Sequence, residues 1–386
     1  MSTSATPLTP DERARYQRHL ILPQIGEAGQ QKLKAARVLV VGAGGLGSPA
    51  LLYLAAAGVG RIGIVDDDIV DESNLQRQVV HGTRDVGRAK VSSASARLRD
   101  LNPHVDVRTY HARLTSANAS RIIGDYDVVL DGADNFPTRY LINDACVLLG
   151  KPCVHASVIR FEGQASVFAT SDGPCYRCLF PAPPAPGTIP DCAEGGVFGV
   201  LPGLLGIIQA TEAIKIITQI GTTLAGRLLL VDALGMHFRT IELARDPACR
   251  ACGTREIDSL TAEGEYCETP ISPMTDTSAT FDDEITPAQL SAHMQDGRNI
   301  TLLDVREPYE WAIARLPDAR LIPLNSLPTA LNSLDRESEV VVYCHHGSRS
   351  AAAVEWLRGR GFSRVYNLTG GIDRWSLEVD AAVRRY

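Results

Sequence analysis

Apolar and polar positions alternate along the chain in blocks that predict a strand–helix pattern, a polar break, and then the same pattern again. The apolar run Val38 to Val41 predicts a strand, the glycine-rich Gly42 to Gly47 a turn, the Ala- and Leu-rich sequence to Ala57 a helix, and Arg61 to Val65 a second strand. Helical sequence around Lys90 to Leu101, with apolar runs at Asp127 to Leu130 and Pro152 to Ile159, continues the alternation expected of a mostly parallel sheet. Ahead of these, Thr9-Pro10-Asp11-Glu12 supplies a capping hydroxyl, a proline at the first helical position and an acid three residues on, so a helix starts there, carrying Arg15 to Arg18. The longest apolar segment, Leu201 to Ile220, is broken by Gln209, Thr211, Glu212, Lys215 and Gln219 and predicts a buried helix, not a membrane span. Pro181 to Pro190 predicts an exposed crossover. Cys267 to Asp283, polar and interrupted by two prolines, predicts a linker, after which strands at Thr301 to Val305 and Val340 to Tyr343 and helices after Arg349 and Gly371 restart the pattern. The expected division is a domain over 1–266, a linker over 267–279 and a second domain over 280–386.

Composition narrows the function classes. A chain of 386 residues with 45% apolar content has room for two buried cores. Its net charge of −7 lacks the basic excess that nucleic acid or an anionic membrane surface would require, so neither is an expected partner. Met1 to Pro10 has no basic start followed by an apolar core, which makes the cytoplasm the expected location. Nine cysteines in such a chain predict metal ligands and reactive thiols rather than a disulfide framework.

Gly42, Gly44 and Gly47 fit GxGxxG between a strand and a helix, where backbone amides approach phosphates. Asp66, about 20 residues on, is where an acid holds a ribose hydroxyl. A nicotinamide-dependent oxidoreductase has both features and is the competing reading. Ser73-Asn74-Leu75-Gln76-Arg77 and Lys90 add two cations that hydride transfer does not need and a polyphosphate does. Asp131-Gly132-Ala133-Asp134-Asn135, past a strand, places Asp134 at the sheet's carboxyl edge to hold magnesium or position a triphosphate. Cys175-x-x-Cys178 and Cys249-x-x-Cys252 are two pairs suited to one tetrahedral zinc with no open position, hence structural; a redox CxxC is the alternative. Cys146 and Cys153 fall to the core. At the end of the strand Val340 to Tyr343, Cys344-His345-His346-Gly347-Ser348-Arg349 sets a cysteine among loop amides at a helix N-terminus, which stabilises a thiolate or persulfide; His345 and His346 are expected to be exposed.

In this order and spacing, Gly-Ala-Gly-Gly-Leu-Gly, Ser-Asn-Leu-Gln-Arg-Gln, Lys90 and Asp-Gly-Ala-Asp-Asn resemble the ubiquitin-activating-type adenylyltransferases of the MoeB/ThiF family, which activate molybdopterin-synthase and thiamin sulfur carriers. The C-terminal segment resembles a rhodanese domain through the Cys344 loop, Leu302-Leu303-Asp304-Val305-Arg306, Glu310-Trp311 and Gly370 to Trp375. Its loop is one residue shorter than the CxxxxxR of related phosphatases, which favours sulfur over phosphate, while Arg315 stands where such domains usually carry histidine. The resemblance implies an α/β fold: a Rossmann-like ThiF/MoeB adenylation domain with a structural zinc site, then a smaller α/β rhodanese domain. It implies that Gly45, Asp66, Asn74, Arg77, Lys90 and Asp134 contact ATP. It also implies that Arg18 reaches the neighbouring subunit's ATP site in a homodimer, and that Cys192 matches the conjugating cysteine of relatives with a rhodanese domain. The implied reaction uses ATP and magnesium to adenylylate the C-terminal glycine of a small ubiquitin-like sulfur carrier ending in Gly-Gly. A Cys344 persulfide, charged by a separate sulfur donor such as a cysteine desulfurase or thiosulfate, attacks the acyl-adenylate, and a second thiol such as Cys192 then releases a thiocarboxylate. A Cys192 thioester is a second route, and a rhodanese module that only recruits the sulfur donor is a further rival.

Overall fold

The computed structural model describes residues 7–171, 173–183, 196–260 and 283–385. Cys192, the 267–279 segment and most of the proline-rich crossover fall outside these. The described residues form two compact units, the first built from residues before 261 and the second from those after 282.

In the first unit the apolar runs become eight strands: β1 Arg37–Val41, β2 Arg61–Val65, β3 Asp106–Tyr110, β4 Val128–Asp131, β5 Cys153–Ile159, β6 Glu162–Phe168, β7 Arg227–Asp232 and β8 His237–Glu242. They lie in one sheet in the order β3-β2-β1-β4-β5-β6-β7-β8. The first five are parallel, but β6, β7 and β8 run antiparallel to their neighbours. The sequence pattern anticipated the parallel part. It missed the antiparallel extension because β6 carries Gly163 and Gln164 and β8 is largely exposed, so neither shows the continuous apolar run of a buried parallel strand.

Helices cover both faces. On one, Leu33, Leu51, Leu54, Val91, Leu98, Leu201 and Leu205 from four helices close on Val38, Val40, Ile62 and Ile64. On the other, Ile122, Ile123, Tyr140 and Ile142 close on Leu39, Val41 and Val129. The long apolar helix is Val200–Thr218, the one described helix with the length and hydropathy of a membrane span. It packs on the sheet as expected, with buried Gln209 donating to the carbonyls of Asp131 and Val154 at 2.7 and 2.9 Å and buried Glu212 accepting from the Leu224 amide at 2.7 Å. The N-terminal helix Pro10–Arg15 starts with the predicted Thr9 cap and Glu12 capping box. It is anchored by buried Tyr16, whose hydroxyl accepts from Asn102 at 2.9 Å.

The second unit holds a five-stranded parallel sheet in the order β11-β10-β12-β13-β9, from β9 Glu284–Ile285, β10 Ile300–Asp304, β11 Arg320–Leu321, β12 Glu339–Tyr343 and β13 Val365–Leu368. Val340, Val342, Val354 and Leu357 fill one face; Leu302, Val341, Tyr343 and Trp375 fill the other. Gly371 takes φ +60°, and a side chain there would collide with the carbonyls of Cys344 and His345, so this glycine lets the following helix approach the cysteine loop closely.

Candidate functional site

Strand order reverses between β1 and β4, so the connections leaving their carboxyl ends run to opposite faces of the sheet and leave the crevice where open α/β sheets bind ligands. A cavity of about 320 Å³ opens there. Its floor is the turn after β1: Gly42, Gly44 and Gly45 line it. Gly47 starts the helix Gly47–Ala57 and packs behind them, where any side chain would strike the Gly42 carbonyl. Asp66, just past β2, lines the cavity with both carboxylate oxygens held by backbone amides, of Ala43 at 2.7 Å and Asp68 at 2.9 Å. Burial raises its pKa above the usual carboxylate value, and those two amides and Lys90 counter it only in part.

The cations read from the sequence converge on this cavity. Arg77 lines it and donates to the Ser73 carbonyl at 3.2 Å. Lys90, buried at the start of the helix Lys90–Leu101, also lines it, its ammonium 2.8 Å from the exposed carboxylate of Asp68. Asp134 and Asn135 line it too, and Asn135 caps the helix Phe136–Leu149 by accepting from the Thr138 amide at 3.0 Å. Ser73 and Asn74 sit in a short 3-10 turn beside the cavity without lining it, where the Ser73 hydroxyl is turned to Asp71 at 2.5 Å. Arg18 is exposed on the short helix Gln17–Leu20 and does not line the cavity.

Sequence reasoning missed several residues of this site. Gln78 lines it, buried, its carboxamide oxygen without a hydrogen-bond partner among the described residues. His81 braces the glycine turn from behind, its ring nitrogens 3.1 Å from the Ala43 carbonyl and 2.9 Å from Ser93 Oγ, and burial lowers its pKa. Arg139 lines the cavity one helical turn past Asn135 and is buried. That spacing is the one local signal that could have found it.

The four cysteines of the two CxxC pairs are brought together. Their sulfurs all lie within 4.8 Å of one another, with Cys175 to Cys249 at 3.5 Å, Cys178 to Cys252 at 3.4 Å and Cys175 to Cys178 at 4.0 Å. A tetrahedron with Zn–S bonds of about 2.3 Å has edges of about 3.8 Å, which the three sulfur separations of 3.4, 3.5 and 4.0 Å bracket, so the four sulfurs suit a tetrahedral metal. Burial pushes the Cys178 thiol up to about 11 and Cys175 higher, a crowding of sulfurs that a bound cation relieves. Cys146 and Cys153 are buried in the core, as expected.

In the second unit Cys344 follows β12 and is buried. Its sulfur accepts from the Gly347 amide at 3.1 Å and lies 3.5 Å from the Ser350 hydroxyl. Arg349, closing the loop, donates both terminal nitrogens to Glu310 at 2.7 and 2.8 Å. Burial alone would raise the Glu310 pKa, but the Arg349 pair and the Glu307 amide overcome it and leave the carboxyl below its usual range. One expectation is corrected: His345 is not an exposed loop histidine. It is buried against His346 with ring centroids 4.0 Å apart, and burial followed by the charge of His346 lowers its pKa to about 4. Arg315 lies over the Trp311 ring at 5.5 Å, and its neighbour Ala314 is tied down by a 2.8 Å bond from Arg306, so this loop is ordered without the histidine.

These arrangements agree with what the chain is similar to. The ThiF family matches residues 16–251 and the rhodanese-like domain matches residues 286–378. The chain is 48% identical, over its whole length and the whole of the relative, to a probable adenylyltransferase/sulfurtransferase MoeZ of Mycobacterium tuberculosis. It is 42% identical to the adenylyltransferase and sulfurtransferase MOCS3 of Mus musculus, across 98% of this chain and 88% of that one. Among solved structures, E. coli MccB with ATP superposes with TM-score 0.53 at 22% identity, covering 59% of this chain and 70% of that chain, a likeness of fold alone. The chain therefore belongs to the ThiF family and carries a C-terminal rhodanese-like domain.

Proposed function

We propose that this enzyme uses ATP to activate the C-terminal glycine of a small ubiquitin-like sulfur carrier ending in Gly-Gly, and that its rhodanese-like domain supplies the sulfur that converts the carrier to a thiocarboxylate. The observation that carries the reading is the convergence of Arg77, Lys90 and Asp134 on one cavity beside the glycine turn. The carrier carboxylate attacks the α-phosphorus, a new P–O bond forms, the α–β bridging bond breaks and pyrophosphate leaves. Arg77 and Lys90, which both line the cavity, are our assignment for the charge that builds on the departing phosphates. Asp66 is our assignment for the ribose, and Asp134 for the magnesium that accompanies ATP. Zinc is our assignment for Cys175, Cys178, Cys249 and Cys252, where it would cross-link two distant segments of chain.

For the sulfur step, Cys344 takes a sulfane sulfur from a donor such as a cysteine desulfurase or thiosulfate. The terminal sulfur of the persulfide attacks the acyl-adenylate and expels AMP. A second thiol, for which Cys192 is our assignment, then attacks the Cys344 sulfur and frees the thiocarboxylate, leaving a Cys192–Cys344 disulfide for an external thiol to reduce. The hydrogen bond from the Gly347 amide supports an anionic sulfur at Cys344. Arg18, exposed and outside its own cavity, is our assignment for the neighbouring cavity of a homodimer, and the cytoplasm, which keeps the cysteines reduced, for the location. ATP–pyrophosphate exchange tests the core of the reading: exchange that depends on a carrier ending in Gly-Gly supports it, and none with any such carrier sinks it.

A further inference from the structure

Asp134 lines the nucleotide cavity but is exposed, so packing does not fix its side chain and its aim depends on the backbone that carries it. That backbone is held peptide by peptide. The Asp131 carbonyl accepts from buried Gln209 at 2.7 Å, the Gly132 amide donates to the Val41 carbonyl at 2.9 Å, and the Ala133 amide donates to Asp131 Oδ1 at 3.0 Å. Asp131 is itself enclosed, with Oδ2 2.7 Å from Nδ1 of equally buried His155. Gly132 also packs on the glycine turn, since a side chain on Gly42 would meet the Gly132 carbonyl. The turn leading to Asp134 is therefore fixed to β1, to the glycine turn and to the long buried helix.

The one remaining carbonyl, that of Ala133, belongs to the peptide that enters Asp134, and Arg139 holds it. The buried guanidinium donates Nε and Nη2 to this oxygen, each at 3.2 Å, and lies over the Phe136 ring at 5.3 Å. It thus grips the residue before Asp134 and the residue after Asn135, bracketing the two polar side chains that line the cavity. We propose that Arg139 is a positioning residue for Asp134: its fork on the Ala133 carbonyl sets the peptide from which that carboxylate points into the cavity. This role rests on the assignment of Asp134 to the magnesium of ATP. Lysine keeps the charge but has no planar fork, so it cannot reproduce both contacts. Outer partners that orient a metal-holding group contribute about 10- to 100-fold to metal affinity or activity.

The test is a double-variant cycle in the full-length chain. The Kd of a non-hydrolysable ATP analogue is titrated with and without magnesium for the parent, Asp134→Asn, Arg139→Lys and the two combined. A residue that acts through Asp134 has nothing left to act on once that carboxylate is gone. Arg139→Lys is expected to weaken the analogue about 10-fold with magnesium and by about twofold or less without it. Added to Asp134→Asn, it is expected to change the Kd by about twofold or less, the range of non-additivity that separates coupled from independent sites. General structural damage would instead persist without magnesium and in both backgrounds. Losses that multiply in the double variant overturn the proposal, as does an Arg139→Lys chain with the parent's affinity. If Arg139→Lys loses the far-UV circular dichroism melt of the parent, Arg139→Met, which keeps the length without the donors, decides by the same cycle; failure of both to fold assigns Arg139 to the fold alone and also overturns the proposal. An Asp134→Asn chain that binds the magnesium analogue like the parent removes the Asp134 assignment and the role of Arg139 with it. Absence of pyrophosphate exchange with any Gly-Gly carrier would instead remove the proposed function and leave a coupled cycle standing.

Discussion

Glu310→Gln removes one charge from a buried ion pair at the sulfur site and leaves the shape of the side chain. In the parent, Arg349 meets Glu310 through two bonds of 2.7 and 2.8 Å, with side-chain exposures of 10% and 1%. Breaking a buried pair by neutralising one partner leaves the other charge uncompensated and costs about 3 to 5 kcal/mol. For a unit of this size the lower figure moves the melting midpoint by roughly 12 °C or more. The assay is selective, because the chain's three tryptophans, Trp311, Trp356 and Trp375, all lie in the second unit, so tryptophan fluorescence follows its unfolding within the full chain. Pyrophosphate exchange by the first unit serves as the control. The sign with pH follows from the depressed Glu310 pKa: the pair stabilises fully above the unfolded carboxyl pKa of about 4.3, and its contribution is lost as pH falls through the folded value. The parent's advantage is therefore constant above about pH 5 and shrinks below it. The double variant Glu310→Leu, Arg349→Met, which removes both charges, should recover most of the loss. A Glu310→Gln midpoint equivalent to less than about 1 kcal/mol of destabilisation, or a double variant as unstable as the sum of its singles, would refute the reasoning.

Further outcomes follow from the two sites. Lys90→Ala lowers the pyrophosphate-exchange rate about 100-fold or more, the scale of losing one pre-placed charge partner, whereas Asp68→Asn, which removes only the lysine's exposed partner, changes it by about threefold or less. His345 has its pKa lowered to about 4, so the unfolded chain binds a proton that the folded chain refuses. The second unit then loses roughly 3 kcal/mol as pH falls from about 6.5 to 4, and fluorescence-monitored unfolding of His345→Gln should show that slope flattened. Gly47→Ala drives a methyl into the Gly42 carbonyl and should abolish nucleotide binding in titration, while leaving the fluorescence-monitored melt of the second unit unchanged.

Both the legible and the illegible parts of this protein have physical reasons. The glycine turn, Asp66, Lys90, Asp134 and the Cys344 loop could be read because each belongs to a strand end or helix start whose position follows from local hydrophobic period and turn chemistry. The antiparallel strands β6 to β8 could not, since their pairing is long-range and their side chains lack a clean apolar period. Nor could the partners of two cations, which lie far off in sequence: Asp68 for Lys90 and Glu310 for Arg349. Those partners distinguish the two sites. Lys90 is buried but its partner Asp68 is 67% exposed, a weak pair that a triphosphate would displace on the nucleotide assignment we propose, leaving the lysine's full charge for the leaving group. Arg349 is locked to a carboxylate that is itself enclosed, so its charge is cancelled before any substrate arrives. An anionic sulfur on Cys344 is then held by neutral dipoles such as the Gly347 amide and the Ser350 hydroxyl, not by a cation. A field of this kind suits a sulfur that must be accepted and then given away, because a strong cation there would favour retaining the anion over passing it on.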